Sequence, residues 1–439
     1  MTSDKRRKAR IRARMARTGE RYTTARHHVV GTPLRQRRDL AYTLHGGQQH
    51  DAAALRAVLA HHGVTMPDGR PISEALLFGI AGGLGAGYIL WEFAAHGSRT
   101  VVLGFSNQWQ YIGRDLRAAL ERLGIAADVH TTGGAAPAAR HLEARVDAAR
   151  PVIVWPDRQI LGHWYLPAHL EGHGGHPVVV YGRRDGRFHI DDRTLAPLTV
   201  AEGDLHRARS RSGSYRHLLI DVEATPGALD PARLRAAVIA GVDACVARLS
   251  GTSASFALPA WRKWARMMTD RRNAKGWPRV FADGAGLAGA LLSVWEAASD
   301  SGMTGGPLRD LYCEFLGEAA DLLDADLDAA ITALRAAAQQ WRMLGDIAVD
   351  PRDPDLAQLR QLTATARAAL TADGDAGRDE AAAAAAQLWR RWAELDAAAP
   401  LPDQRRDAVF TRMGETLSSI YELETGAIAD LAGAVDKVR

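Results

Sequence analysis

Residues 172–193 read Gly172-His-Gly-Gly-His-Pro-Val-Val-Val-Tyr-Gly182, then Arg183-Arg-Asp-Gly186, then Arg187-Phe-His-Ile-Asp-Asp-Arg193. The valine run behind Pro177 has the β-branched character of a buried strand, and Arg187–Ile190 reads as a second strand. A turn falls at Asp185-Gly186 between them. This hairpin sets His176 at the start of one strand and Asp192 at the end of the other. Such a hairpin holds an imidazole beside the carboxylate that orients it, two parts of a Cys-His-Asp acyl-transfer site. Upstream, the stretch Gly46-Gly-Gln-Gln-His-Asp-Ala-Ala-Ala-Leu-Arg56 carries His50 and no cysteine.

At 439 residues two domains are expected, each long enough for a sizeable core. The apolar and charged fractions, 47% and 24%, are those of an ordinary soluble protein. Two cysteines cannot build a disulfide framework and no charged-then-apolar leader opens the chain, so a cytoplasmic location is expected. The longest uncharged stretch, Ala75–Trp91, is rich in glycine and shorter than the roughly 20 residues a spanning helix needs. No membrane segment is expected.

Charge is unevenly distributed. Residues 1–39 hold 13 Lys or Arg against Asp4, Glu20 and Asp39, a net of +10 in a chain whose total is +4. The remaining residues therefore carry −6. This arm reads as a docking element for an acidic partner or as a solvated tail, with Lys5–Arg17 as a short helix and the rest poorly ordered. One aromatic residue, Tyr22, and no recognised motif argue against nucleic acid as the partner.

Residues 40–225 alternate helices and strands. Helices are predicted at Leu55–His62, from Ile72, and at Ile112–Leu123. Strands are predicted at Thr100–Phe105, Pro151–Trp155, Pro177–Tyr181, Arg187–Ile190 and His217–Val222. The order is α+β, not a βαβ repeat. A boundary falls at Glu223–Gly227, and residues 228–439 are expected to be all helical, including one long helix over Pro307–Trp341. The tryptophans there sit at helical spacing among aliphatics and read as core anchors. Cys245 and Cys313 lie in apolar helical stripes and read as small core residues.

Gly79-Ile-Ala-Gly-Gly-Leu-Gly-Ala-Gly-Tyr88 does not fit a nucleotide loop, because it follows a helix and lacks the phosphate-binding registers. Its glycines imply backbone lying close to a ligand or to another segment. His163, His169, His173 and His176 invite a metal reading, but Gly172, Gly174 and Gly175 forbid the helix that would align them. No metal and no cofactor is expected.

Together these stretches resemble a specific family. Residues 45–222 are similar to the butirosin-biosynthesis acyltransferase N-terminal domain, a papain-like, cysteine-peptidase-like fold. The resemblance rests on Ala54–Gly63, Ile72–Gly85, Gly175–Gly182, Ile190–Arg193 and Leu205–Arg209. Residues 228–345 resemble the helical domain that often follows it, through Lys275–Pro278 and Gly305–Ala319. The resemblance implies a papain-like domain over 40–225 followed by a helical domain over 228–439. It implies a Cys nucleophile at the position of His50, its preceding His at Gln49, a base at His176 and an orienting acid at Asp192. It also implies an acyl-thioester donor, such as an acyl carrier protein, and an amine acceptor, with Gly82, Gly83, Gly85 and Gln49 against the substrate.

Without the cysteine, two readings stand. His50 and His176 promote direct acyl transfer to an amine with no acyl-enzyme, or the cleft survives in an inactive accessory protein. Asp51 beside His50 could keep that imidazole charged, which would favour anion binding.

Overall fold

The protein is described by a computed structural model covering residues 41–93, 98–171, 174–211, 215–300, 302, 305–398 and 401–437. The basic arm with its expected short helix lies outside the described residues. In chain order the elements are α1 (His50–His61), β1 (Val64–Thr65), α2 (Glu74–Ala81), β2 (Leu84–Phe93), β3 (Ser98–Ser106), α3 (Arg114–Leu123) and β4 (Ala126–His130). Next come α4 (Ala135–Asp147), β5 (Val152–Val154), α5 (Arg158–Leu161), β6 (Val178–Arg184), β7 (Arg187–Asp191) and β8 (Leu198–Ala201). They are followed by α6 (Glu202–Ser210), β9 (Leu219–Glu223) and β10 (Gly227–Ala228). The rest is helical: α7 (Pro231–Leu249), α8 (Pro259–Met267), α9 (Trp277–Val280), α10 (Leu287–Ala298) and α11 (Arg309–Leu323). The last helices are α12 (Asp328–Ala348), α13 (Pro354–Asp373), α14 (Arg378–Ala398) and α15 (Asp403–Asp436). A mixed α+β region is thus followed by an all-helical one. No helix among the described residues is long and apolar enough to cross a membrane.

The change from strands to helices falls near 223–228, but the compact units are discontinuous in sequence. One comprises the described residues up to His61, Asp128–Val222 and Thr365–Ala383; the other comprises His62–Ala127, Glu223–Ala364 and Ala384 onward. Local contacts explain why a linear boundary fails. In the first unit, Leu195 donates its N–H to the Thr371 carbonyl at 2.7 Å, and the Asp375 carboxylate accepts from the Thr199 N–H and hydroxyl at 3.0 and 2.7 Å. In the second unit, a Cβ on Gly241 of α7 would meet the Gly79 carbonyl of α2 at 2.4 Å, so glycine at 241 is what lets these helices touch.

The first unit is built on a six-stranded sheet of order β4-β9-β5-β6-β7-β8. The β9-β5, β5-β6, β6-β7 and β7-β8 pairings are antiparallel. Val152, Val154, Val178, Val180, Phe188 and Ile190 fill its core against Leu142 and Val146 of α4. Strand β6 is buried on both faces along Val178–Tyr181, which is why it reads as a continuous apolar run rather than an alternating one.

The second unit is organised around a buried ion pair. Arg309 and Glu424 are both almost wholly excluded from solvent, and the guanidinium grips the carboxylate through two hydrogen bonds of 2.7 Å. Trp261 and Trp341 add indole N–H bonds of 3.0 and 2.9 Å to the same carboxylate. The expected helix over Pro307–Trp341 is two helices, because Asp324 ends α11 in the left-handed conformation (φ 52). A charge-charge bond this buried is destabilising to break, since one partner is left desolvated. Glu424→Ala is expected to cost about 3–5 kcal/mol, read as a lower unfolding midpoint in tryptophan fluorescence; a cost under about 1 kcal/mol would refute the central role given to this pair.

Candidate functional site

Hairpin geometry delivers two of the site residues. Asp185 and Gly186 have φ values of 52 and 72, the conformation of a two-residue type I′ turn, and Arg184 pairs with Arg187 across it. The ladder then runs back to Val179 opposite Asp191. Past its end, the residues preceding Val178 lie against Asp192, and His176 Nε2 reaches both carboxylate oxygens of Asp192 at 2.8 Å.

Asp192 has two further donors. His163 Nε2 and Trp164 Nε1 each lie 2.8 Å from its Oδ2. Asp157 caps α5 by accepting the Gln159 and Ile160 N–H groups, and Gly162 ends that helix in a left-handed turn (φ 77). This stop turns His163 and Trp164 back onto Asp192. The His163 and Asp192 side chains are completely buried.

His50 enters from the third direction. It is the first residue of α1, and Gln49 caps that helix by accepting the Ala52 N–H at 2.7 Å. The loop before it is pinned by Arg56 to the carbonyls of His45 and Gly46, and by Arg193 to that of Gln48 at 2.7 Å. Arg193 does this from a left-handed backbone (φ 60). The His50 and His176 rings lie 4.8 Å apart between centroids and are tilted by 55°. A cavity of about 10 Å³ adjoins His50, lined also by Gly46, Ala53, Pro177, Asp191 and Arg193. It has room for a single water.

Electrostatics make both imidazoles neutral. Burial lowers His176 to about 4 against the pull of Asp192, and Arg158 and Arg193 add to the lowering. Burial also drives His50 well below 6.5, followed by Arg193, His176 and Arg158. Burial pushes the Asp192 carboxyl up, but His176 and His163 outweigh that and hold it well below the ordinary carboxylate range. An ionised carboxylate only accepts, so His176 and His163 both donate from Nε2. His176 Nδ1 and His50 Nε2 are buried with no hydrogen-bond partner among the described residues. The site therefore offers a held imidazole with an unused lone pair, beside a second neutral imidazole.

Other candidates have different settings. Asp51 does not act on His50: its carboxylate takes the Gln49 amide at 3.3 Å, and burial raises it to about 6. The expectation of a charged imidazole at position 50 is therefore reversed. Gly82, Gly83 and Gly85 belong to the second unit, where a Cβ would meet Asn107, Tyr312 and the Ser106 carbonyl at 3.1, 2.2 and 2.0 Å. Their close neighbours are other segments of the chain. The metal reading involves His173, which lies outside the described residues, as does the His169 side chain, and no group of three metal-ligating side chains occurs among the described residues. Cys245 and Cys313 are buried free thiols, pushed up to about 11 and about 12 chiefly by burial.

Residues 50–193 match the family model of butirosin biosynthesis protein H, N-terminal. The matched segment begins at His50 and ends one residue after Asp192. No curated protein matches the chain.

Folding stability should report the neutral His176. The unfolded chain takes up a proton there near pH 6.5, whereas the folded protein resists it until about pH 4. Stability from this group is present above the unfolded value and lost as pH falls toward the folded one, by up to about 3 kcal/mol. His176→Gln is expected to flatten the fall in urea-unfolding free energy between pH 6.5 and 4. Parallel curves for the two proteins would contradict it.

Proposed function

We infer that the first unit carries a papain-like acyl-transfer site that moves an acyl group from a thioester to an amine without an acyl-enzyme. The observation that carries this reading is His176: neutral, anchored through Nε2 to Asp192, with Nδ1 unused beside His50. The amine nitrogen attacks the thioester carbonyl carbon, and its proton passes to His176 Nδ1. As the tetrahedral adduct collapses the C–S bond breaks, and the thiolate takes that proton to leave as a thiol. Asp192 keeps the imidazole in the required tautomer and stabilises the imidazolium that forms in between. His50, in the position the family resemblance gives to cysteine, is a poor covalent relay, because an acyl-imidazole is labile to water. It serves better as a second neutral group orienting the amine. Burial is the largest cause of the weak basicity of His176, so admitting a polar substrate strengthens the base.

The test is aminolysis of acyl-thioesters, acyl carrier protein thioesters included, with a panel of amines. His176→Ala is expected to lower the rate by about 10²–10⁴-fold and His50→Gln by much less. An inactive wild-type protein, or His176→Ala matching wild type, overturns the reading. A second reading, a non-catalytic binding protein, is favoured by the one-water size of the cavity. It requires ligand binding that survives both His176→Ala and Asp192→Asn.

Position 50 has its own test. A thiol placed at the first residue of α1, beside His176, should ionise below the ordinary value of about 8.5. In His50→Cys, alkylation by iodoacetamide is expected to show a pH midpoint at least one unit below that of a free cysteine. Titration like an unperturbed thiol would remove position 50 from the nucleophile's place.

A further inference from the structure

Asp192 is shared between two imidazoles, and only one of them has a role in the reaction proposed above. His163 reaches Asp192 Oδ2 at 2.8 Å, the same length as the His176 contacts, and its ring is completely buried. Trp164 donates to that oxygen at 2.8 Å as well. Nothing in acyl transfer requires a second histidine on the orienting acid. A purely structural filler would not need a polar ring in a site where burying one costs free energy.

We propose that His163 is a positioning residue that sets the base strength of His176 by sharing the Asp192 carboxylate. This rests on the reading of His176 as the base. A carboxylate that already accepts from His163 and Trp164 has less charge to offer an imidazolium at His176. Each N–H on Asp192 therefore makes His176 harder to protonate, and it also fixes the carboxylate plane to which His176 must align. The charged and titratable groups facing this pair are Arg158, Arg193 and His50 around His176, with Arg193 Nε also 3.9 Å from Asp192 Oδ1. Arg158 and Arg193 act in the same direction, lowering His176. Asp192 alone opposes them, and the donors on Asp192 decide how strongly it does so.

The experiment follows the His176 ring nitrogens by ¹⁵N NMR during a pH titration of the substrate-free protein. In wild type His176 should remain an Nε2–H tautomer down to about pH 4. In His163→Leu its midpoint should rise by on the order of one pH unit, because Asp192 then gives its charge to His176 alone. His163→Gln, which keeps an N–H donor but cannot titrate, should restore the wild-type midpoint. Should His163→Leu not fold, Trp164→Phe removes the other donor with little change of shape and is expected to shift the midpoint in the same direction. An unmoved midpoint in the variants that lose a donor, or a shift in His163→Gln as large as in His163→Leu, overturns the proposal. No substrate is present, so an inactive protein in the thioester assay would leave this result standing, and the reverse also holds.

Discussion

The loops at the edge of the first unit's sheet depend on a buried carboxylate, that of Asp192. The Asp192 side chain is completely buried, where an unsolvated carboxylate is tolerated only if hydrogen-bond donors replace the lost water. Three donors do so, and they arrive from two segments of the chain. His176 comes from the entry to β6, whereas His163 and Trp164 come from the turn that closes α5. The carboxylate itself stands at the end of β7, held in register by the two-residue turn at Asp185-Gly186. Moving any one of these segments would strand the charge, so the loops around it are constrained as tightly as the core strands.

The same charge sets the protonation of its surroundings. An isolated Asp would hold a nearby imidazole in its charged form, as in many buried His-Asp pairs. Here burial and the guanidiniums of Arg158 and Arg193 outweigh it, so His176 and His50 both stay neutral. The placement of His50 at the start of α1 works the same way, because the positive end of the helix disfavours an imidazolium. A thiolate at that position would be stabilised by the features that discharge an imidazole. The electrostatics of the pocket therefore suit an anion better than the residue that occupies it.

Much of this was legible in the sequence, and what was not has identifiable causes. The pairing of His176 with Asp192 followed from a valine run, a Gly-containing turn and a second strand, all local signals. The helix behind His50 was expected only from Leu55, because its first turn is three alanines with no apolar periodicity, and it starts at His50. His163 was visible only as a candidate metal ligand, because its partner lies 29 residues away and a left-handed Gly162 decides where it points. Strand β2 was hidden by glycine, which propensity places in loops; there Trp109 covers Gly87 and Gly104 and supplies the apolar face the strand lacks. Helix α4 was masked by Pro137 and by a face carrying only Ala138, Leu142 and Val146. The return of residues 365–383 to the first unit had no sequence signal beyond an Asp-Gly-Asp turn. Asp375 in that turn works by bonding Thr199, a contact across 176 residues that no local pattern encodes.

Glu424 and Asp192 are both buried carboxylates, and they are satisfied in different ways. Glu424 faces a full guanidinium and two indoles, and neither it nor Arg309 has a buried polar atom left without a partner. An ion pair completed in this way has no lone pair or proton to exchange, and its effect is confined to holding α11, α12 and α15 to α8. Asp192 is instead satisfied by imidazoles, each of which spends one nitrogen on the carboxylate and keeps the other. His176 Nδ1 and His163 Nδ1 are left buried and unused. Buried nitrogens without partners lower stability. Retaining them beside a third, His50 Nε2, is costly for a core, and the proton acceptor proposed at His176 is one of them.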